Sequence, residues 1–169
     1  HEDSLSLQLL CCYLGSGMTS LLFKTLREEN GVAYEVGAHH PPKGFNSPFI
    51  IHASTSEDKS LLTLELLYKA WIDLSSRMLS ESDLELTRAK FIGQLAHCSQ
   101  TAGQRGERIA QLIRLKLPCN HDNTAKERIK DIRPKNLQDV ATKYLKKPWL
   151  SICGPKSSLD SLTRYWSQL

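Results

Sequence analysis

The chain reads as an α+β fold, a mainly antiparallel sheet with helices packed on one face, and three observations lead there. Leu64, Leu67, Trp71, Leu74 and Met78 recur at spacings of three and four, the stripe of an amphipathic helix. Upstream, Val32–Ala38 and Phe49–Ser54 alternate with a period of two around a turn at Pro41-Pro42-Lys43-Gly44, which predicts a hairpin. Near the C-terminus, Trp149–Cys153 is a short apolar run closed by Gly154-Pro155 and is expected to join that sheet as a strand.

Taken in order, Asp3 to Asn30 is predicted to be helical with a break. Asp3 or Ser4 can cap the start, and Leu7, Leu10 and Leu14, then Met18, Leu22 and Leu26, fall at helical spacing. Gly15-Ser16-Gly17 interrupts the pattern and permits a kink or a close backbone approach. Asn30-Gly31 supplies the stop, with Gly31 suited to the left-handed position after a helix. In the hairpin, Val32, Tyr34 and Val36 share one face and Ala33, Glu35 and Gly37 the other; Phe49, Ile51 and Ala53 oppose Ile50, His52 and Ser54 in the same way. The long helix should run from Glu57 to Leu79, capped by Thr55 or Ser56. Ser80-Glu81-Ser82 restarts the chain, and Leu84, Arg88, Phe91 and Leu95 mark a helix ending near His97. Further helices are predicted over Ala102–Leu117, Thr124–Asp131, Pro134–Leu145 and Ser157–Ser167, with Pro134 at a first helical position.

A strand preceding Asp3 would complete a strand–helix–strand unit. Residues 1–169 are therefore expected to be a single domain and a fragment of a longer chain lacking that strand. An uncovered sheet edge of this kind favours self-association or docking on neighbouring chain.

At 169 residues the length suits one core, and a hydrophobic fraction of 40% with 24% charged residues excludes a disordered or collagen-like chain. No run approaches the roughly 20 apolar residues of a membrane span. The start, His1-Glu2-Asp3, lacks the basic region of a signal peptide. The net charge of +4 comes from interleaved signs; the basic residues of Lys126–Lys147 alternate with Glu127, Asp131 and Asp139, which argues against a nucleic-acid surface. The five cysteines, Cys11, Cys12, Cys98, Cys119 and Cys153, are odd in number and contain no CxxC pair. They read as reduced, mostly buried small hydrophobes, favouring a cytoplasmic or organellar compartment.

Among the six histidines, neither HExxH nor HxxEH occurs. His39 and His40 are adjacent on a strand and face opposite ways, and Cys119 and His121 sit in a loop after Pro118, so all read as polar surface residues. Gly15-Ser16-Gly17 lacks the lysine of a phosphate loop, Gly-x-Ser-x-Gly is absent, and Glu28-Glu29 reads as a solvated face. Arg27 and Tyr34 stand out. Arg27 lies in a last helical turn, where the dipole favours a cation, and Tyr34 lies just past the Gly31 stop. Together a guanidinium and a phenol can hold a peptide carbonyl. A helix-end charge beside a strand aromatic with no ligand is the other reading of the same residues.

The stretch Leu14-Gly15-Ser16-Gly17-Met18-Thr19-Ser20-Leu21-Leu22-Phe23-Lys24-Thr25-Leu26-Arg27-Glu28-Glu29-Asn30-Gly31-Val32-Ala33-Tyr34-Glu35-Val36 closely resembles the "LGGGxSSxLFxxLREKxGLAYxV" stretch of the pitrilysin/insulinase family of zinc metallopeptidases. Mitochondrial processing peptidase and the core proteins of the bc1 complex belong to that family too. Leu84-Glu85-Leu86-Thr87-Arg88-Ala89-Lys90 looks like its "ELxxAK" helix start, and Trp149–Gly154 like its last strand. The resemblance is to the second, non-catalytic domain of a half-enzyme, a processing-peptidase-like domain. It implies that zinc belongs to a catalytic domain of the same or a partner chain, and that this chain holds no metal ligand, no catalytic residue and no activity alone. It also implies that Arg27 and Tyr34 grip the backbone of a peptide substrate as the two halves of a clamshell close. The alternative it implies is a non-enzymatic assembly domain of the bc1 core-protein type.

Overall fold

The structure, a computed structural model, describes residues 2–43 and 45–169. His1 and Gly44, the latter the end of the expected hairpin turn, lie outside the described residues. Helix α1 (Ser4–Gly15) opens the chain. After the glycine break, the chain re-enters a helix that widens into a π-helical segment, Phe23–Glu29. Strands β1 (Glu35–His39) and β2 (Ile50–Ser54) pair antiparallel, with Gly37 opposite His52 and His39 opposite Ile50. A 3₁₀ turn at Glu57–Lys59 leads into α2 (Ser60–Ser76), followed by α3 (Glu81–His97), α4 (Ala102–Arg114), α5 (His121–Arg128), α6 (Pro134–Tyr144) and α7 (Lys156–Trp166). Among the described residues, no helix is long and apolar enough to cross a membrane.

Helix α1 is the centre of the domain. Leu9, Leu10 and Leu14 are fully buried and Leu5 and Cys12 nearly so, which spreads apolar side chains around most of its circumference. A helix apolar on several sides must be covered on several sides. Here β1, α3 and α6 all pack on α1. Asp3 occupies the helix N-cap but makes no capping bond; its carboxylate accepts from Lys143 Nζ at 2.7 Å and Tyr144 Oη at 2.8 Å, tying the start of α1 to the end of α6.

The sheet turns Val36, Ala38, Phe49, Ile51 and Ala53 to the core, while Glu35, His39, Ile50 and Ser54 face away and are exposed; Tyr34, expected on the Val36 face, precedes β1 and is exposed instead. Its contact with α1 is unusually close at Gly15. A Cβ added there would stand 2.2 Å from the Ala38 backbone nitrogen, so the absent side chain is what lets the helix end press on β1. Backbone cannot rotate aside as a side-chain tip can. Gly15→Ala is therefore expected to lower stability by about 1–3 kcal/mol, as overpacking does. The measurement is the urea midpoint at constant slope; an unchanged midpoint would remove the close-approach explanation.

Several expectations need correction. Trp149–Cys153 forms no strand: no strand runs beside it among the described residues, and Trp149 is wholly exposed. Apolar composition alone makes no strand where no second backbone lies alongside to complete a ladder. Met18 is exposed because residues 18–20 form the turn after the break rather than a helical repeat, whereas Leu22 and Leu26 are fully buried. Met78 is exposed because α2 stops at Ser76, two residues short of it. Leu64, Trp71 and Leu74 are buried as expected, and Leu67 packs on the core from a half-buried position. Of the cysteines, only Cys12 is buried and Cys11 half-buried; Cys98, Cys119 and Cys153 are exposed, and all five are free thiols. Burial pushes the Cys11 thiol up to about 11, which keeps it protonated and unreactive at neutral pH.

Arg88, placed by its spacing on the apolar stripe of α3, is buried for a polar reason. Its Nε donates to the Ile129 carbonyl at 2.9 Å, and its two terminal nitrogens reach the Ile132 carbonyl and Glu85. Its bonds gather two carbonyls of the turn that follows α5 and fasten that turn to α3.

Candidate functional site

The site is built around the helix stop that separates the π-helical segment from β1. Gly31 adopts φ +57°, the left-handed conformation that side-chain-bearing residues avoid, and reverses the chain. The Val32 N–H then closes onto the Leu26 carbonyl at 2.8 Å, and Asn30 Nδ2 donates to the Thr25 carbonyl at 2.7 Å.

The residues after the stop are pinned from the other side by the start of α2. Lys59 Nζ donates to the Gly31 carbonyl at 2.9 Å, and the Thr55 hydroxyl donates to the Val32 carbonyl. Thr63, buried within α2, bonds the Thr55 hydroxyl at 3.1 Å. Val32 and Ala33 are buried, and the Tyr34 N–H extends the sheet ladder to the Ser54 carbonyl at 3.0 Å. The backbone carrying Tyr34 is thus held by hydrogen bonds at Gly31, Val32 and Tyr34, with Ala33 buried between them.

Its side chain is not. Tyr34 is 89% exposed, and its phenol makes no hydrogen bond among the described residues. Arg27 occupies the last turn of the π-helical segment, is exposed, and lays its guanidinium carbon 5.0 Å from the centroid of the Phe23 ring. That stacking orients the guanidinium without consuming its five N–H donors. No ion pair engages it among the described residues. The structure places the two residues on either side of the Asn30–Gly31 stop and links them by no direct hydrogen bond. π-helical turns are rare and recur at functional sites. Glu28 and Glu29 are both exposed, as a solvated face requires.

Chemically, the arrangement offers two donors facing solvent, a phenol on a braced backbone and a guanidinium stacked on Phe23. It can hold carbonyl or carboxylate oxygens and contains no nucleophile or general base. No three His, Cys, Asp or Glu side chains converge to hold a metal among the described residues, so this donor set does not fit a catalytic zinc. One juxtaposition escaped the residue-by-residue reading: His39 Nε2 lies 3.1 Å from His52 Nε2 across the two strands. Inspecting neighbouring histidines along the chain could not find it, whereas the hairpin register could.

Comparison with known proteins bears on this geometry. Residues 1–91 match the family described as the peptidase M16 inactive domain. The chain is 33% identical over 105 residues to an "uncharacterized zinc protease" of Rickettsia bellii (strain RML369-C), covering 62% of this chain and 25% of that protein. It is 40% identical over 84 residues to one of Rickettsia felis (strain ATCC VR-1525 / URRWXCal2), covering 49% of this chain and 19% of the relative. The chain thus spans a quarter or less of the relatives it matches. Among solved structures, the peptidase M16 inactive domain of Pseudomonas fluorescens superposes with a TM-score of 0.77 at 18% identity, over 86% of this chain and 35% of that one. At that identity the likeness concerns the fold.

Proposed function

We propose, starting from the fact that this chain belongs to the peptidase M16 inactive-domain family, that it clamps peptide substrates for a zinc peptidase whose metal lies in another domain. The observation that carries this reading is the contrast at Tyr34: a backbone fixed by hydrogen bonds on both sides, under a side chain left almost wholly in solvent. A residue serving only the core would bury its ring. A pre-set, solvent-facing phenol, with a stacked guanidinium on the other side of the Gly31 stop, suits a ligand that arrives later and brings its own carbonyl oxygens. Arg27 and Tyr34 would then position the peptide, and the hydrolytic chemistry would be supplied by the catalytic domain. An inactive domain implies a catalytic partner domain, on the same or another polypeptide. The two-stranded sheet, whose edges pair with no further strand among the described residues, fits docking on such a neighbour or on a second copy of the chain.

The test is peptide turnover by the complete protein, catalytic domain included, carrying Arg27→Ala or Tyr34→Phe. Loss of turnover with unchanged melting supports the clamp. Wild-type turnover in both variants removes it and leaves an assembly domain of the bc1 core-protein kind as the better account.

A further inference from the structure

The geometry points to a two-histidine metal site on the open face of the sheet, formed by His39 of β1 and His52 of β2, that takes a divalent first-row ion such as Ni²⁺, Cu²⁺ or Zn²⁺. The two residues are diagonal neighbours across the antiparallel pair, His52 opposite Gly37 and His39 two residues further along β1, and both lie on the face turned away from the core. Their Nε2 atoms stand 3.1 Å apart, with rings within 9° of parallel and centroids 5.0 Å apart. For metal–nitrogen bonds of about 2.0–2.1 Å, adjacent ligands in tetrahedral to octahedral geometry sit about 2.9–3.4 Å apart. The observed spacing falls within that range before any side chain moves.

At present one Nε2 donates a hydrogen to the other. Moving that hydrogen to Nδ1 of the same ring frees both Nε2 lone pairs, and rotation about χ2, which is soft in histidine, lets them converge on one ion. The two rings would occupy adjacent ligand positions and water the rest. Imidazole favours nickel, copper and zinc over magnesium or calcium. With two protein ligands the site is weaker than a structural or catalytic zinc centre, which takes three or four.

Gly37 makes the site possible. A Cβ at Gly37 would fall 2.7 Å from His52 Nε2, so the missing side chain is the space over which the His52 ring reaches toward His39. Gly37 lies outside the left-handed region, and the atom it would meet is the end of a rotatable side chain. Gly37→Ala therefore displaces a ligand without straining the fold. His40 takes no part: its Nδ1 is 3.1 Å from the Pro48 carbonyl, and its ring lies beside Phe49.

The experiment is titration of the chain with Ni²⁺, read by paramagnetic broadening of backbone amides, in the wild type and in His39→Asn, His52→Asn and Gly37→Ala. Broadening should begin at residues 37–39 and 51–53. Each histidine variant should bind at least about tenfold more weakly, since even loss of a residue that merely supports a ligand costs that much. Gly37→Ala, which retains both histidines, should also bind more weakly at an unchanged melting temperature. Broadening centred elsewhere, or equal affinity in the wild type and both histidine variants, overturns the site.

Discussion

Trp71→Ala should lower the unfolding free energy by about 3–5 kcal/mol, the range for truncating a buried large aromatic. Trp71 is 7% exposed and connects three parts of the domain. Its ring meets Phe49 edge-on at 5.9 Å, joining α2 to the start of β2, and its Nε1–H donates to the Lys146 carbonyl at 2.8 Å, holding the chain where α6 ends. Truncation opens a cavity and also leaves that carbonyl without its donor. Trp71→Phe separates the two losses: it keeps most of the apolar volume and forfeits the hydrogen bond, for an expected cost nearer 0.5–1.5 kcal/mol from the bond plus a small packing loss. Equilibrium urea unfolding of the two variants measures both. If Trp71→Ala cost no more than about 0.5 kcal/mol, the value typical of surface changes, the tryptophan would not be the joint described.

Arg27→Ala and Tyr34→Phe should each reduce peptide turnover of the complete protein by about 10²–10³, if the bond each loses forms mainly in the transition state, as at an oxyanion hole. Tyr34→Phe is the cleaner probe, because it removes one oxygen from a ring that is already 89% exposed and buries nothing. Both side chains lie at the surface, so neither change should move the melting temperature appreciably. The division between kcat and KM carries further information. A fall in kcat at constant KM places the contact in the transition state, whereas a rise in KM alone means the two residues hold substrate and transition state equally. A fall in melting temperature without a specific loss of turnover would return both residues to a structural role.

The helix break, the stop at Gly31, the restart at Ser80 and Pro134 in a first helical turn were all legible, because each rests on sterics or a cap acting within a few residues. Ser80 does accept from the Asp83 N–H, as the pattern implies. The boundaries of α2 were less accurate, since its stripe continues in sequence to Met78 while the helix ends at Ser76. The third strand failed for a different reason. Trp149–Cys153 has strand-like composition, but a strand exists only where another backbone lies alongside, and composition does not report that.

The same division applies to the candidate sites. Arg27 and Tyr34 could be named from the residues around Gly31 and from a family resemblance carried by residues 14–36. Their exposure, and the bracing of the intervening backbone by Lys59, Thr55 and Thr63, depend on where α2 begins in space. His39 and His52 meet only through strand register and the vacant space over Gly37. The helices, the hairpin, the glycine-dependent turns and the family could be read along the chain, because local sterics and periodicity act between residues near one another in sequence. Which apolar segments find partners, which polar tips stay in water and which distant side chains meet emerged with the packed fold, because those outcomes belong to pairs of residues that contiguous sequence does not bring together.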